Sequence, residues 1–137
     1  MLHRGHVECL QQAASLGDVL VVGVHSDESV RKLKGTGRPV IPAEDRAAIV
    51  AAIGCVEYVT IFDGETSADL VEAVRPDLYV KGGDHDADSL SERLAVEIYG
   101  GRVTTVGYLP GRSSAGLVER IRDTAGPVLA ADQGNHV

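Results

Sequence analysis

His3, Gly5 and His6 stand at the head of the chain, two imidazoles three positions apart with a glycine directly before the second. They fall where a helix with apolar residues at Val7, Leu10 and Ala14 begins by its periodicity, with Gly17 as its expected stop. The first turn of a helix has backbone N–H groups without intrahelical partners and carries the positive end of the dipole, so an anion is favoured there. Residues i and i+3 share a helix face, which lets both rings offer N–H donors to one phosphate. A glycine without Cβ lets a ligand lie close against the backbone. Two surface histidines at a helix start would look the same in so short a pattern.

Three other groups invite similar chemistry. Lys81-Gly82-Gly83-Asp84 follows an apolar run; its glycines let the backbone approach a ligand, and Lys81 and Asp84 suit phosphate, ribose or a metal-bound water, unless this is an ordinary glycine turn. Arg112, Ser113 and Ser114 open a helix, where the hydroxyls can cap the first turn or hold a phosphate. Arg31, Lys32 and Lys34 lead into the loop GTGRPVIP, which carries Arg38. A basic cluster running into a Gly/Pro loop at a strand end suits a phosphorylated ligand, a solvated helix face being the bland alternative. His85, Asp86 and Asp88 resemble a metal cluster at first sight, but no second group with ligand spacing joins them, so no protein-held metal is expected.

These groups need a scaffold, and the chain alternates. The valine-rich run from Asp18 to Val24 reads as a strand covered on both faces, and Ser26 or Asp27 as the N-cap of a short basic helix. A helix from Pro42 to Ile53 follows, with Ile49, Val50 and Ile53 turned inward, then a strand from Val56 to Phe62. A helix from Ser67 to Val74 ends at Arg75-Pro76, since proline disfavours helix at the preceding residue. Strands at Asp77 to Val80 and Arg102 to Leu109 flank a helix from Asp88 to Tyr99, and a last helix carries Leu117, Val118 and Ile121. The pattern predicts an α/β fold, a Rossmann-like parallel sheet with helices on both faces and ligands at the carboxyl ends of the strands. Residues 1–124 make one domain; 125–137 lack periodicity and read as a disordered tail.

HRGH with the following VECLQQAASLGDVLVVGVHSDESVRKLKGTGRPVIPAEDRAAIVAAI, then VKGGD and LPGRSS in that order, resembles the HxGH cytidylyltransferase-like nucleotidyltransferase superfamily. Within it the chain is most similar to the adenylyltransferase domain that makes ADP-heptose from heptose 1-phosphate and ATP, the second domain of bifunctional heptose kinase/adenylyltransferases. The resemblance runs from Leu2 to about Arg122. It implies the nucleotidylyl transferase fold, Mg²⁺ accompanying ATP, a sugar phosphate as acceptor, and a homodimer or larger assembly. His3, His6 and Lys34 match its catalytic positions. Gly5, Lys81, Gly82, Gly83, Asp84, Arg112, Ser113 and Ser114 match its nucleotide-binding ones, and Arg31, Lys32 and Arg38 fall where relatives hold the substrate phosphate. Arg46 resembles an arginine that relatives place near the active site or subunit interface, a surface role being equally open. Family members carry three Ser/Thr residues where this chain has Ser113, Ser114 and Ala115, so some phosphate contact is expected from Arg112 or Arg120 instead. Relatives also carry a buried parallel strand before HxGH. Met1 and Leu2 stand in its place, so the expectation is a gene product that begins upstream, and a sheet with two unpaired ladder edges. Glycerol- or ethanolamine-phosphate cytidylyltransferases share the same blocks, and an inactive nucleotide-binding remnant is a third reading.

Composition sets outer limits. With 137 residues, 44% hydrophobic and 24% charged, the chain is one ordinary globular domain. It has no Trp and one Phe, so Val, Leu, Ile and Ala must fill the core. A net charge of −7 argues against general nucleic-acid binding. No apolar run approaches the roughly 20 residues that cross a bilayer, which speaks for a cytoplasmic protein without a membrane partner. Cys9 and Cys55 lack metal-ligand spacing and read as reduced packing thiols. No Walker pattern GxxxxGK[ST] occurs, which argues against a kinase.

Overall fold

The structure, a computed structural model, describes residues 2–83, 86–87, 91–107 and 109–124. The expectations for Asp84, His85, Asp88 and the segment 125–137 lie outside the described residues. In order, the elements are α1 (Arg4–Ala14), β1 (Val21–His25), α2 (Asp27–Lys34), α3 (Ala43–Ala51), β2 (Tyr58–Phe62), α4 (Ala68–Val74), β3 (Leu78–Gly82), α5 (Arg93–Glu97), β4 (Arg102–Val106) and α6 (Ser114–Thr124).

The β-α alternation gives parallel pairing, because a crossover helix returns the chain to the same end of the sheet. β1 pairs with β2 from Val21 opposite Tyr58 to His25 opposite Phe62. β3 pairs with β4 from Leu78 opposite Arg102 to Gly82 opposite Val106. As expected of a sheet with unpaired ladder edges, the strands form two parallel pairs, and each strand keeps one edge without a ladder partner among the described residues. Helices lie on both faces of the β3–β4 pair. A Cβ on Gly82 would come 3.2 Å from the Cys9 sulfur of α1, while its neighbour Lys81, pointing the other way, reaches Glu92 at the start of α5. α3 packs on the first pair. Leu70 of α4 approaches β1 so closely that its Cδ2 would lie 2.6 Å from a Cβ on Gly23.

The core is aliphatic, as the lack of aromatics requires: Val24, Ala43, Val71, Val96 and Val106 are its buried members. Three expectations are corrected. The run at β1 is not covered on both faces, since Val19 and Val21 are 59% and 39% exposed beside a strand with one neighbour. Ile49, expected inside, is 41% exposed on α3. α1 stops at Ala14 with Ser15 as C-cap, short of Gly17, because the Ser15 hydroxyl donates to the Gln12 carbonyl at 2.6 Å and satisfies the helix end early. Ser26 caps α2 as expected, accepting from the Ser29 amide at 3.2 Å, and Gly35 closes it with φ of 87°.

Candidate active site

His3 and His6 form a reciprocal cap on α1. The His3 Nδ1 accepts from the Gly5 amide at 3.1 Å, and the His6 Nδ1 accepts from the His3 amide at 3.3 Å. This is the capping-box arrangement, with imidazoles doing what Ser/Thr and Glu/Gln do elsewhere. A neutral ring that accepts at Nδ1 must carry its proton on Nε2, so each histidine presents an Nε2–H donor on the side of the ring away from the helix backbone. The ring centroids are 4.0 Å apart. Partial burial lowers the His6 pKa to about 4, helped by the neighbouring His3 and by Lys34. His3 is lowered by burial first and by Arg112 among the nearby charges. Both rings are therefore neutral donors near pH 7.

Gly5 is buried, but for a reason other than the one read from the sequence. A Cβ there would meet the His3 ring at 2.8 Å and the Arg112 carbonyl at 3.2 Å, so the space is held by the protein and not kept for a ligand. The same contact brings the α1 start against the segment that opens α6. There Ser113 accepts from the Gly116 amide at 3.0 Å and so caps the helix, its O–H remaining a donor. Ser114 is the first residue of α6, and Gly111 turns the preceding chain with φ of 74°.

Lys34, the last residue of α2, lies within electrostatic reach of His6 and of His25. His25 ends β1, packs its ring on Phe62 at 4.4 Å, and is lowered by burial, with Lys81, Arg46 and Lys34 adding to the effect. Its Nδ1 is buried without a hydrogen-bond partner among the described residues. Nothing in the composition singled His25 out, although a residue ending a parallel strand stands at the end where α/β folds bind ligands.

The remaining expected residues divide. Lys81 and Gly82 belong to β3 and not to a loop, and Gly83 makes the turn with φ of 112° while donating to the Val106 carbonyl at 3.1 Å. The Lys81 ammonium donates to Glu92 at 3.5 Å. Glu92 is 2% exposed, a burial that its polar neighbours in the chain do not signal. It also accepts from the Ser67 hydroxyl at 3.1 Å and the Ser91 hydroxyl at 3.0 Å. Arg31 and Arg38 line one open cavity of about 360 Å³ with Asp27, Gly37, Pro39, Val40 and Pro42. Lys32 is on a different flank, paired with Glu28 at 2.7 Å and facing a smaller hollow with Asp63 and Glu65. The structure therefore separates Lys32 from the two arginines it was grouped with.

The cytidylyltransferase-like family profile matches residues 1–121. The chain belongs to the cytidylyltransferase-like family. It is 50% identical over 121 residues to the bifunctional protein HldE of Geobacter sulfurreducens, covering 88% of this chain and 25% of that one. The HldE protein of Syntrophotalea carbinolica is 47% identical over 123 residues, again with 25% of its length matched. The chain thus spans about a quarter of these relatives. It also matches 76% of the D-beta-D-heptose 1-phosphate adenylyltransferase of Bordetella bronchiseptica, at 50% identity over 89% of this chain. Among solved structures, the lipopolysaccharide core biosynthesis protein from Thermoplasma volcanium GSS1 superposes with a TM-score of 0.65, 26% identity and coverage of 80% and 88% of the two chains.

Proposed function

We propose that this domain transfers the adenylyl group of ATP to the phosphate of a sugar 1-phosphate, giving an ADP-sugar and pyrophosphate. The observation that carries the reading is the paired-histidine cap of α1, set against the Arg112 segment at the start of α6. Two helix N-termini brought together with two outward Nε2–H donors suit one polyphosphate. The names of the relatives favour heptose 1-phosphate as the acceptor and ATP over CTP as the donor.

An oxygen of the sugar phosphate attacks the α-phosphorus in line. The bond from that phosphorus to the bridging oxygen of the β-phosphate breaks, and pyrophosphate leaves with the electron pair. No protein nucleophile and no proton transfer are needed, so catalysis is alignment and charge stabilisation. His3 and His6 donate to the polyphosphate, Lys34 adds positive charge beside them, and Ser113 and Ser114 offer hydroxyls from the opposite terminus. Arg31 and Arg38 hold the acceptor phosphate, while Lys32, tied to Glu28, is left out of this role. Mg²⁺ enters with ATP as its counter-ion. Among the described residues no group of three or more His, Cys, Asp or Glu is placed to hold a metal. The reading includes self-association as a homodimer or larger, checked by sedimentation, and a cytoplasmic setting where ATP is present.

The test is pyrophosphate release from ATP or CTP paired with heptose 1-phosphate or glycerol 3-phosphate. Release with ATP and heptose 1-phosphate alone is expected. Preference for CTP with glycerol 3-phosphate, or nucleotide binding without turnover on either acceptor, would overturn the reading.

A further inference from the structure

The cavity that joins Arg31 and Arg38 also contains a carboxylate, and that carboxylate is held in place. Arg46 of α3 donates from one guanidinium nitrogen to Asp27 Oδ1 at 2.8 Å and from Nε to the Ile41 carbonyl at 3.0 Å. One arginine thus fixes both the first residue of α2 and the end of the loop that supplies Arg38, Pro39 and Val40 to the cavity wall. The arginine is 23% exposed and the aspartate 36%, so the pair is partly desolvated while one aspartate face still meets solvent. Oδ2 has no hydrogen-bond partner among the described residues. A carboxylate with one oxygen clamped and the other open accepts hydrogen bonds and repels anions.

A phosphate alone would be served by the two arginines and opposed by this carboxylate. A ligand with a phosphate at one end and several hydroxyls at the other would satisfy both. The volume of about 360 Å³ lies near the lower end of the roughly 300–1,000 Å³ typical of small-molecule sites, enough for one sugar ring with its phosphate. We infer that Asp27, clamped by Arg46, is the specificity-determining residue for the acceptor, its Oδ2 accepting from sugar hydroxyls while Arg31 and Arg38 hold the phosphate. The inference rests on the adenylyl-transfer reading above and adds to it the group that distinguishes a sugar phosphate from a bare one.

The experiment is calorimetric titration of the chain and of Asp27→Asn with heptose 1-phosphate and, separately, with inorganic phosphate, both in the presence of a non-hydrolysable ATP analogue and Mg²⁺. The readout is the ratio of the two affinities, which a loss of folded protein leaves unchanged. Asparagine can still accept from Arg46 through its carbonyl oxygen but puts a donor where Oδ2 was. The ratio should fall about 10-fold or more, the size of a lost charge-assisted hydrogen bond, with affinity for the ATP analogue unmoved. Arg46→Gln, which removes the clamp and keeps the carboxylate, should lower the melting temperature and reduce the ratio less than Asp27→Asn does. An unchanged ratio in Asp27→Asn would overturn the inference while leaving adenylyl transfer standing. Failure of the unsubstituted chain to bind heptose 1-phosphate, with the ATP analogue bound, would instead remove the acceptor assignment itself.

Discussion

Two histidines here do the work of a capping pair, and the chemistry follows from which nitrogen is engaged. Because Nδ1 of each ring accepts a backbone N–H, the donor tautomer is set by the fold before any ligand arrives. His3→Asn separates the two roles, since asparagine is among the best N-cap residues but has no Nε2–H. Stability should change by only a few tenths of a kcal/mol, about the spread among good caps, while turnover drops roughly 10²- to 10³-fold, the usual loss of one such donor. Near-normal pyrophosphate release would refute the donor role. The His6 pKa also makes a signed statement. The ring titrates near 6.5 when unfolded and at about 4 in the fold, so the unfolded chain binds the proton more readily. Its contribution is complete above 6.5, is lost as the pH drops from 6.5 toward 4, and changes no further below that. Urea midpoints measured across this window should decline more steeply for the unsubstituted chain than for His6→Asn.

The elements are held at the site end by a buried polar hub as much as by apolar packing. Glu92 joins three of them: Ser67 at the start of α4, Lys81 at the end of β3, and the turn into α5, while the Tyr79 hydroxyl is 2.7 Å from that of Ser67. Burial works against the ionised carboxylate. The amides of Glu92 and Ser67, the Lys81 ammonium and the Ser91 hydroxyl outweigh it and hold the carboxyl below its usual range. Glu92→Ala should cost about 2–3 kcal/mol, since it removes hydrogen bonds to a charged group and strands their donors. The part of that cost tied to the ionised carboxylate should be full above the ordinary carboxylate value and be lost as the pH falls through the lower folded one, so the cost should be smaller at acid pH than at pH 7, which denaturation at the two would reveal. A cost, relative to the unsubstituted chain, that is the same at both pH values would contradict the hub. Element order was legible because caps and breakers are local: Ser26, Gly35 and Arg75-Pro76 each sit where their chemistry placed them. Glu92 was not, because a glutamate in a run of serines and charges reads as solvated until Ser67, 25 positions earlier, is folded against it.

Over the whole molecule, a chain of net charge −7 gathers cations around the carboxyl ends of its strands. Lys34, Arg46 and Lys81 all act on His25, and Arg112 acts on His3. Arg46 and Lys81 are matched by Asp27 and Glu92, which leaves Lys34 and Arg112 as the cations set beside the two capping histidines to favour a phosphate. The family could be read from HRGH, VKGGD and LPGRSS in that order. The unpaired ladder edges were legible too, from Met1 and Leu2 standing where relatives carry a strand; the separation of Lys32 from Arg31 and Arg38 was not, because it depends on where Asp63, Glu65 and the loop around Pro39 fold against α2. Two neutral imidazoles offering Nε2–H to a polyphosphate are the centre of the proposed chemistry. Long-range ¹H–¹⁵N imidazole spectra recorded during a titration with MgATP examine this most directly. Both His3 and His6 should begin as Nε2–H tautomers, and their Nε2 signals should move together on saturation. A starting Nδ1–H tautomer for either ring, or two Nε2 signals indifferent to bound nucleotide, would contradict the account.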